Sequence, residues 1–152
     1  MPSLIKCKSL DRKNLELCVV LHQVSFPRPW MLKEFEDLLC LRTTFALFAT
    51  YKSVFSGFVM GMVCDDRLEI LTIAVDPAYR QRGVATCLLK KILHKALSLN
   101  LKCIDIEVSS ENKSAQNLYQ KLGFVLTGQR KNYYTEENQR RVDAYLYRLT
   151  FK

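Results

Sequence analysis

Ile73-Ala74-Val75-Asp76-Pro77-Ala78-Tyr79-Arg80-Gln81-Arg82-Gly83-Val84-Ala85 decides the fold, because the patterns on its two sides differ in kind. Upstream, Leu68 to Val75 is an apolar, β-branched run with strand character. Downstream, Ala85, Leu88, Leu89, Ile92, Leu93, Ala96 and Leu97 recur at intervals of three and four, with Lys90, Lys91, His94 and Lys95 opposite, which predicts an amphipathic helix. A strand feeding a glycine-containing turn and then a helix is a general way to hold a phosphate, because free backbone N–H groups and the positive end of the helix dipole point at the ligand. The turn carries neither the Gly-Lys-Ser/Thr of a P-loop nor Gly-x-Gly-x-x-Gly, so neither nucleotide fingerprint is met. By itself, Gly83 fits either a bound anion or simply a tight entry to a packed helix.

Working outward, Ser3 to Ser9 reads as a short strand and Asp11 as the N-cap of a helix ending near Ser25. Phe26-Pro27-Arg28-Pro29-Trp30 must break that helix, since two prolines cannot continue it. A second helix follows with Leu32, Phe35, Leu38 and Leu39 on one side, then β-rich runs Thr43 to Tyr51 and Val54 to Cys64, with a turn at Asp65-Asp66 leading into Leu68 to Val75. Beyond the central helix, Cys103 to Val108 returns to strand. Asn112 to Leu122 forms a shorter helix ended by Gly123, and two strands cover about Phe124 to Arg130 and Val142 to Phe151. The order β-α-α-β-β-β-α-β-α-β-β predicts an α/β fold, with a mixed, mostly antiparallel central sheet of about six or seven strands flanked by four helices. With 152 residues, no repeats and no linker-like stretch, residues 1–152 are expected to form a single domain.

The composition, 49% hydrophobic and 25% charged with four prolines and five glycines, excludes a disordered or collagen-like chain. No apolar run approaches the roughly 20 residues that span a bilayer, and the start lacks the apolar core of a signal peptide, so a cytosolic protein is expected. Cys7, Cys18, Cys40, Cys64, Cys87 and Cys103 form no Cys-x-x-Cys pair and are expected to be buried free thiols. His22 and His94 stand in no ligand spacing, so no metal is expected, and both read as surface or packing residues. The net charge is +8, and no acid lies between Asp76 and Asp105, where Arg80, Arg82, Lys90, Lys91, Lys95 and Lys102 fall. A small polyphosphate is the expected anion; nucleic acid is disfavoured, because no aromatics are interleaved with these bases.

Arg80-x-x-Gly83-x-Ala85 matches the Gln/Arg-x-x-Gly-x-Gly/Ala signature of the GNAT superfamily of N-acetyltransferases, and the chain resembles that superfamily over nearly its whole length. Ile73-Ala74-Val75-Asp76-Pro77, Asn112, Ala115, Leu118-Tyr119 and Leu122-Gly123-Phe124 fall where the superfamily has them. Within it, Phe26-Pro27-Arg28-Pro29-Trp30, Ile106-Glu107-Val108, Asn132-Tyr133-Tyr134 and Asp143-Ala144 resemble the RimI-type ribosomal-protein-alanine N-acetyltransferases. Two departures stand out: Arg28-Pro29 lengthens the usual Phe-Pro-Trp, and Ala85 replaces the commoner glycine.

The resemblance implies a GNAT fold and acetyl-coenzyme A as donor. Its pantetheine arm would lie along the strand ending Ile73-Ala74-Val75, and its pyrophosphate would be received by the amides of Gln81, Arg82, Gly83, Val84 and Ala85. Arg80, Arg82 and the nearby lysines supply charge of the sign that a pyrophosphate and a ribose 3′-phosphate need. Glu107 is the expected general base: the odd residues of its strand share one face, and an unpaired carboxylate in a helix-covered sheet is expensive to bury. A paired or edge-exposed glutamate is the alternative for the same pattern. The resemblance places the Tyr119 hydroxyl near the departing sulfur as general acid and Asn112 near the pantetheine, whereas a core tyrosine is the ordinary alternative. A backbone amide near Ile73 to Val75 would hold the oxyanion. Trp30, Tyr133 and Tyr134 together suggest the walls of a peptide slot, with Glu136 and Glu137 beyond it to attract a cationic peptide.

The expected activity is direct acetyl transfer to the α-amino group of a protein N-terminus, an alanine of a small-subunit ribosomal protein. No histidine near Cys64, Cys87 or Cys103 in sequence argues for a thiol relay. One rival is an enzyme of the same fold acting on a lysine or a small amine; its discriminator is the Trp30 and Tyr133-Tyr134 slot. Another is a non-catalytic domain that binds coenzyme A or RNA, against which the presence of both Glu107 and Tyr119 argues.

Overall fold

In the computed structural model, which describes residues 3–152, the strands are β1 (Ile5–Ser9), β2 (Thr44–Tyr51), β3 (Val54–Cys64), β4 (Arg67–Val75), β5 (Cys103–Ser109), β6 (Val125–Thr135) and β7 (Arg141–Thr150). The helices are α1 (Arg12–Ser25), α2 (Leu32–Leu39), α3 (Val84–Ser98) and α4 (Lys113–Lys121), with one 3₁₀ turn at Pro77–Tyr79. The element order is the one expected from the sequence. All seven strands join one sheet in the order β1-β2-β3-β4-β5-β7-β6. Its pairs are antiparallel except β4 with β5, the two strands joined through α3, as a parallel pair requires a crossover.

Alternation in the strands builds a core on each face. Val59, Leu68, Ile104 and Ile106 pack with Val84, Leu88, Leu89 and Ile92 of α3 and with Tyr119 of α4. Phe58, Met60 and Ala74 pack on the other face with Leu15, Cys18 and Leu21 of α1 and Phe35 of α2. With both faces covered, the middle of β3 is buried on every residue from Ser56 to Gly61.

The caps follow the sequence. The Asp11 carboxylate accepts the Asn14 N–H at the start of α1, and Gly123 takes φ +98° after α4, a conformation that only glycine adopts without strain. His22 is a packing residue, 3% exposed, and His94 is exposed. Nδ1 of His22 accepts the Trp30 N–H at 3.0 Å, which fixes the chain as it leaves α1.

Three expectations need correction. β6 runs to Thr135 rather than Arg130, so Tyr133 and Tyr134 lie on a strand and not in a loop. An edge strand exposed along most of its length and interrupted by two register shifts shows no two-residue alternation to read. Of the cysteines, all free, only Cys18 and Cys103 are buried; Cys7 and Cys87 are half-buried, and Cys40 and Cys64 are exposed where α2 and β3 end. Lys102 does not lie near the N-terminal end of α3 with Arg80 and Arg82. It follows the far end of that helix and pairs with Asp66 at 2.9 Å, while Lys95 sits over the Phe45 ring. No helix among the described residues is long and apolar enough to cross a membrane.

Candidate active site

β4 and β5 pair only from Arg67 to Ile70 and from Cys103 to Ile106. Beyond that point they diverge. The divergence coincides with a bulge in β4: Met60 of β3 faces Thr72 and Gly61 faces Ile70, leaving Leu71 extra. Among the described residues one edge of Leu71–Val75 therefore has no strand partner, and Glu107 is the first β5 residue past the last pair. Between the two strands opens a cavity of about 970 Å³, lined among others by Ile73, Glu107, Asn112, Tyr119, Trp30, Tyr133 and Tyr134.

Glu107 is half-buried, and burial raises its carboxyl above the usual range against the opposing pull of Arg130, whose Nη2 lies 3.4 Å from its Oε1. The sequence-based expectation of an unpaired carboxylate is thus corrected: its partner comes from β6, two strands away in the sheet. Its neighbour on the same face, Asp105, is fully committed to Arg148 at 2.6 and 2.8 Å, with Arg67 at 3.6 Å. Tyr134 approaches Glu107 from β6, and burial together with that carboxylate pushes its hydroxyl up to about 12. Tyr119 is 4% exposed, its ring 5.9 Å from Phe124 and 6.1 Å from Tyr147. Burial drives its hydroxyl well above the ordinary tyrosine range, and that hydroxyl makes no hydrogen bond among the described residues. The Tyr119 ring packs in the core, and the residue also lines the cavity.

Asn112 caps α4, its Oδ1 accepting the Ala115 N–H at 3.1 Å, and its amide NH₂ makes no hydrogen bond among the described residues. The loop before it is held by Gln116, whose Nε2 donates to the carbonyls of Ser109 and Ser110, both at 3.0 Å. Trp30 divides its ring between two roles, stacking on His22 at 5.0 Å and meeting Phe35 edge-on at 5.3 Å while lining the cavity. Glu136 and Glu137 line the same cavity, as do Glu111 and Arg140, which form an ion pair between the β5–α4 loop and the β6–β7 turn.

Val75 and the turn from Arg80 to Ala85 lie outside the lining of this cavity, at the end where β4 runs into α3. Gln81 and Gly83 take φ +60° and +86°, and Gly83 is the N-cap of α3, which leaves its first turn without a side-chain cap. The first closing bond is Cys87 N–H to Gly83 C=O, so the N–H groups of Val84, Ala85 and Thr86 have no helical acceptor. Arg80 folds back toward the Val75 carbonyl, Nε at 3.4 Å, and the Arg82 guanidinium lies 5.2 Å from the Tyr51 ring centroid.

The chain has counterparts among known proteins. The family model described as Acetyltransferase (GNAT) family matches residues 15–124. The chain belongs to the GNAT acetyltransferase family. It is an acetyl-transferring enzyme. As a GNAT chain it is similar to the [ribosomal protein bS18]-alanine N-acetyltransferase of Escherichia coli, 29% identical over 127 residues that cover 83% of this chain and 84% of that one. The crystal structure of the ribosomal-protein-S18-alanine N-acetyltransferase from Escherichia coli superposes with a TM-score of 0.88 at 26% identity, covering 96% and 93% of the two chains. An uncharacterized Mycobacterium leprae protein, ML0378, is 45% identical over 80 residues, 53% of this chain but 21% of that protein, so the match spans about a fifth of its length.

Within this GNAT site, sequence reasoning missed Arg130, Gln116 and the Glu111–Arg140 pair, and it named Asp143 only as part of the family likeness, without a role. Arg130, Asp143 and the Glu111–Arg140 pair act between separate elements, whereas Gln116 reaches back only to Ser109 and Ser110. Asn132, a residue type that tolerates left-handed backbone, is the one local signal near Asp143.

Proposed function

We propose that this enzyme transfers the acetyl group of acetyl-coenzyme A to the α-amino group of a protein N-terminus, an alanine of a small-subunit ribosomal protein, in the cytoplasm. The observation that carries this reading is the convergence of Glu107, Tyr119, Tyr134 and Trp30 on one cavity where β4 and β5 part. The substrate named for the Escherichia coli relative, an alanine of bS18, supports the choice of acceptor.

Acetyl-coenzyme A, when bound, supplies a thioester whose acyl carbon an amine can attack. The residues fit such a donor: a glycine N-cap and the free amides of Val84, Ala85 and Thr86 suit a pyrophosphate, and the unpartnered edge of Leu71–Val75 offers main-chain groups to an extended amide chain. Glu107, directly or through water, takes the proton that an acceptor ammonium must lose before its lone pair can attack. As the new C–N bond forms and the C–S bond breaks, Tyr119 gives its proton to the sulfur and regains one from the amine through solvent. A backbone amide in Ile73 to Val75 holds the carbonyl oxygen as charge gathers there. Trp30, Tyr133 and Tyr134 wall the slot, and Glu136 and Glu137 meet basic residues further along the peptide.

An α-amine with a pKa near 8 loses its proton to a carboxylate far more readily than a lysine near 10.4. A peptide beginning Ala-Arg should therefore be acetylated in preference to the same peptide with a blocked α-amine and a free internal lysine, in competition assays read by mass spectrometry. Equal or preferred acetylation of the lysine, or of a free polyamine, would reject the N-terminal assignment.

A further inference from the structure

β6 departs from regular pairing between Arg130, opposite Ala144, and Tyr134, opposite Val142. In a regular ladder Asn132 would stand opposite Val142; two additional residues place Tyr134 there instead. The bulge is not a local preference alone, since Asn132 must hold φ +54°. It is held from the facing strand. Oδ1 of Asp143 accepts the Asn132 N–H at 2.8 Å, Oδ2 accepts Nε2 of Gln129 at 2.7 Å, and the Asp143 carbonyl accepts the Ser110 N–H at 2.9 Å. One residue thus binds both the bulge that carries Tyr133 and the loop that leads to Glu111 and Asn112. Among the described residues no cation pairs with its carboxylate, so its two oxygens serve as hydrogen-bond acceptors for neutral donors. Tyr133 and Tyr134 leave the bulge edge-to-face, 5.2 Å apart, with Tyr134 beside Glu107.

We propose that Asp143 is a positioning residue for acceptor binding: its carboxylate builds the Lys131–Tyr133 bulge that presents Tyr133 and Tyr134 to the cavity and sets Tyr134 against Glu107. The inference rests on the N-terminal acetyltransferase reading for its kinetic consequence, but not for its geometry. Asp143 touches no reacting atom; it acts through the two tyrosines.

The test compares Asp143→Ala, Asp143→Asn and Gln129→Ala. Asparagine can still accept the Asn132 N–H, and its NH₂ can donate to a turned Gln129 amide, so it should keep the bulge. Asp143→Ala should raise KM for an Ala-Arg peptide roughly tenfold with kcat changed much less, because a small displacement of positioning groups is costly. Gln129→Ala should move KM in the same direction by a few-fold, acetyl-coenzyme A binding by calorimetry should be unchanged in all three, and Asp143→Asn should restore the wild-type KM. In a Tyr134→Ala background, Asp143→Ala should cost less than it does in the wild-type protein, since one of the two tyrosines through which it acts is already gone. An unchanged KM, a failure of asparagine to rescue, or full additivity with Tyr134→Ala would overturn the proposal. If the wild-type enzyme acetylated no peptide N-terminus, the functional reading would fail by itself. The bulge would then be judged by hydrogen exchange: the Asn132 amide should be protected in wild type and Asp143→Asn and exchange at least roughly tenfold faster in Asp143→Ala. Equal protection in all three would refute it.

Discussion

Arg130 on β6 reaches past β7 to place Nη2 3.4 Å from Oε1 of Glu107 on β5, so the proposed base has a resident cation for a partner. Burial and the guanidinium pull its proton affinity in opposite directions, and burial wins. Glu69 on β4 adds to the upward shift, and Tyr134 is the other titratable group beside the carboxylate. A base must be ionised to work, so kcat/KM should fall on acidification at a pH above the ordinary glutamate range. Removing the cation with Arg130→Gln should move that acid limb to still higher pH, measured as a pH–rate profile with saturating acetyl-coenzyme A. An acid limb that stays in place in Arg130→Gln would show that the pair does not tune the base.

Glu107→Gln keeps the shape and removes the base. The expected outcome is a kcat lower on the order of 10²–10⁴-fold, with acetyl-coenzyme A affinity nearly unchanged. Stability should change little, since the Arg130 partner is half exposed and such pairs contribute about 0–1 kcal/mol. Steady-state kinetics from pH 6 to 9, with calorimetric binding of the donor, check both halves.

Among the described residues the Tyr119 hydroxyl has no hydrogen-bond partner, whereas its ring packs among Phe124, Tyr147 and the helices. Tyr119→Phe should therefore leave the melting temperature nearly unchanged and abolish most of the activity. An unaltered rate would return the residue to a purely packing role.

The turn into α3 should respond to the donor's phosphates. Coenzyme A should raise the melting temperature by mass action, and dephospho-coenzyme A should raise it less if Arg80 and Arg82 meet the 3′-phosphate. At Gly83 a new Cβ would meet only Ile5 at 3.7 Å, so space is not the obstacle; φ +86° is. Gly83→Val should cost about 1–3 kcal/mol of backbone strain and weaken both ligands. Differential scanning fluorimetry with the two ligands at equal concentration is sufficient.

His22 supplies a stability test independent of chemistry. Burial lowers its pKa to about 4, and its Nδ1, accepting the Trp30 N–H, must be unprotonated for that bond to exist. The unfolded chain takes up a proton at its ordinary pKa of 6.5, before the folded one does. Stability is therefore complete above about pH 6.5 and is lost as pH falls toward 4, by up to about 3 kcal/mol. Urea midpoints at pH 7.5 and 5 should differ more in wild type than in His22→Gln, whose side-chain oxygen can accept the same N–H.

The sequence by itself determined the elements, their order and the turn into α3. Each rests on chemistry within a few residues: apolar spacing in α3, Asp11 and Asn112 as caps, prolines ending α1, glycine where φ is positive. It also brought forward Glu107 and Tyr119, the first by its charge in an apolar strand and both through family resemblance. Tertiary structure alone decided what those residues meet. The separation of β4 from β5 after Ile70 and Ile106 opens the cavity, and no residue type in either strand announces it. Arg130 pairs with Glu107 because β7 lies between β5 and β6 in the sheet, an order that chain sequence does not record. The length of β6, its bulge and the grip of Asp143 on Asn132 were illegible for the same reason: they arise from hydrogen bonds between strands whose register is fixed only when the sheet forms.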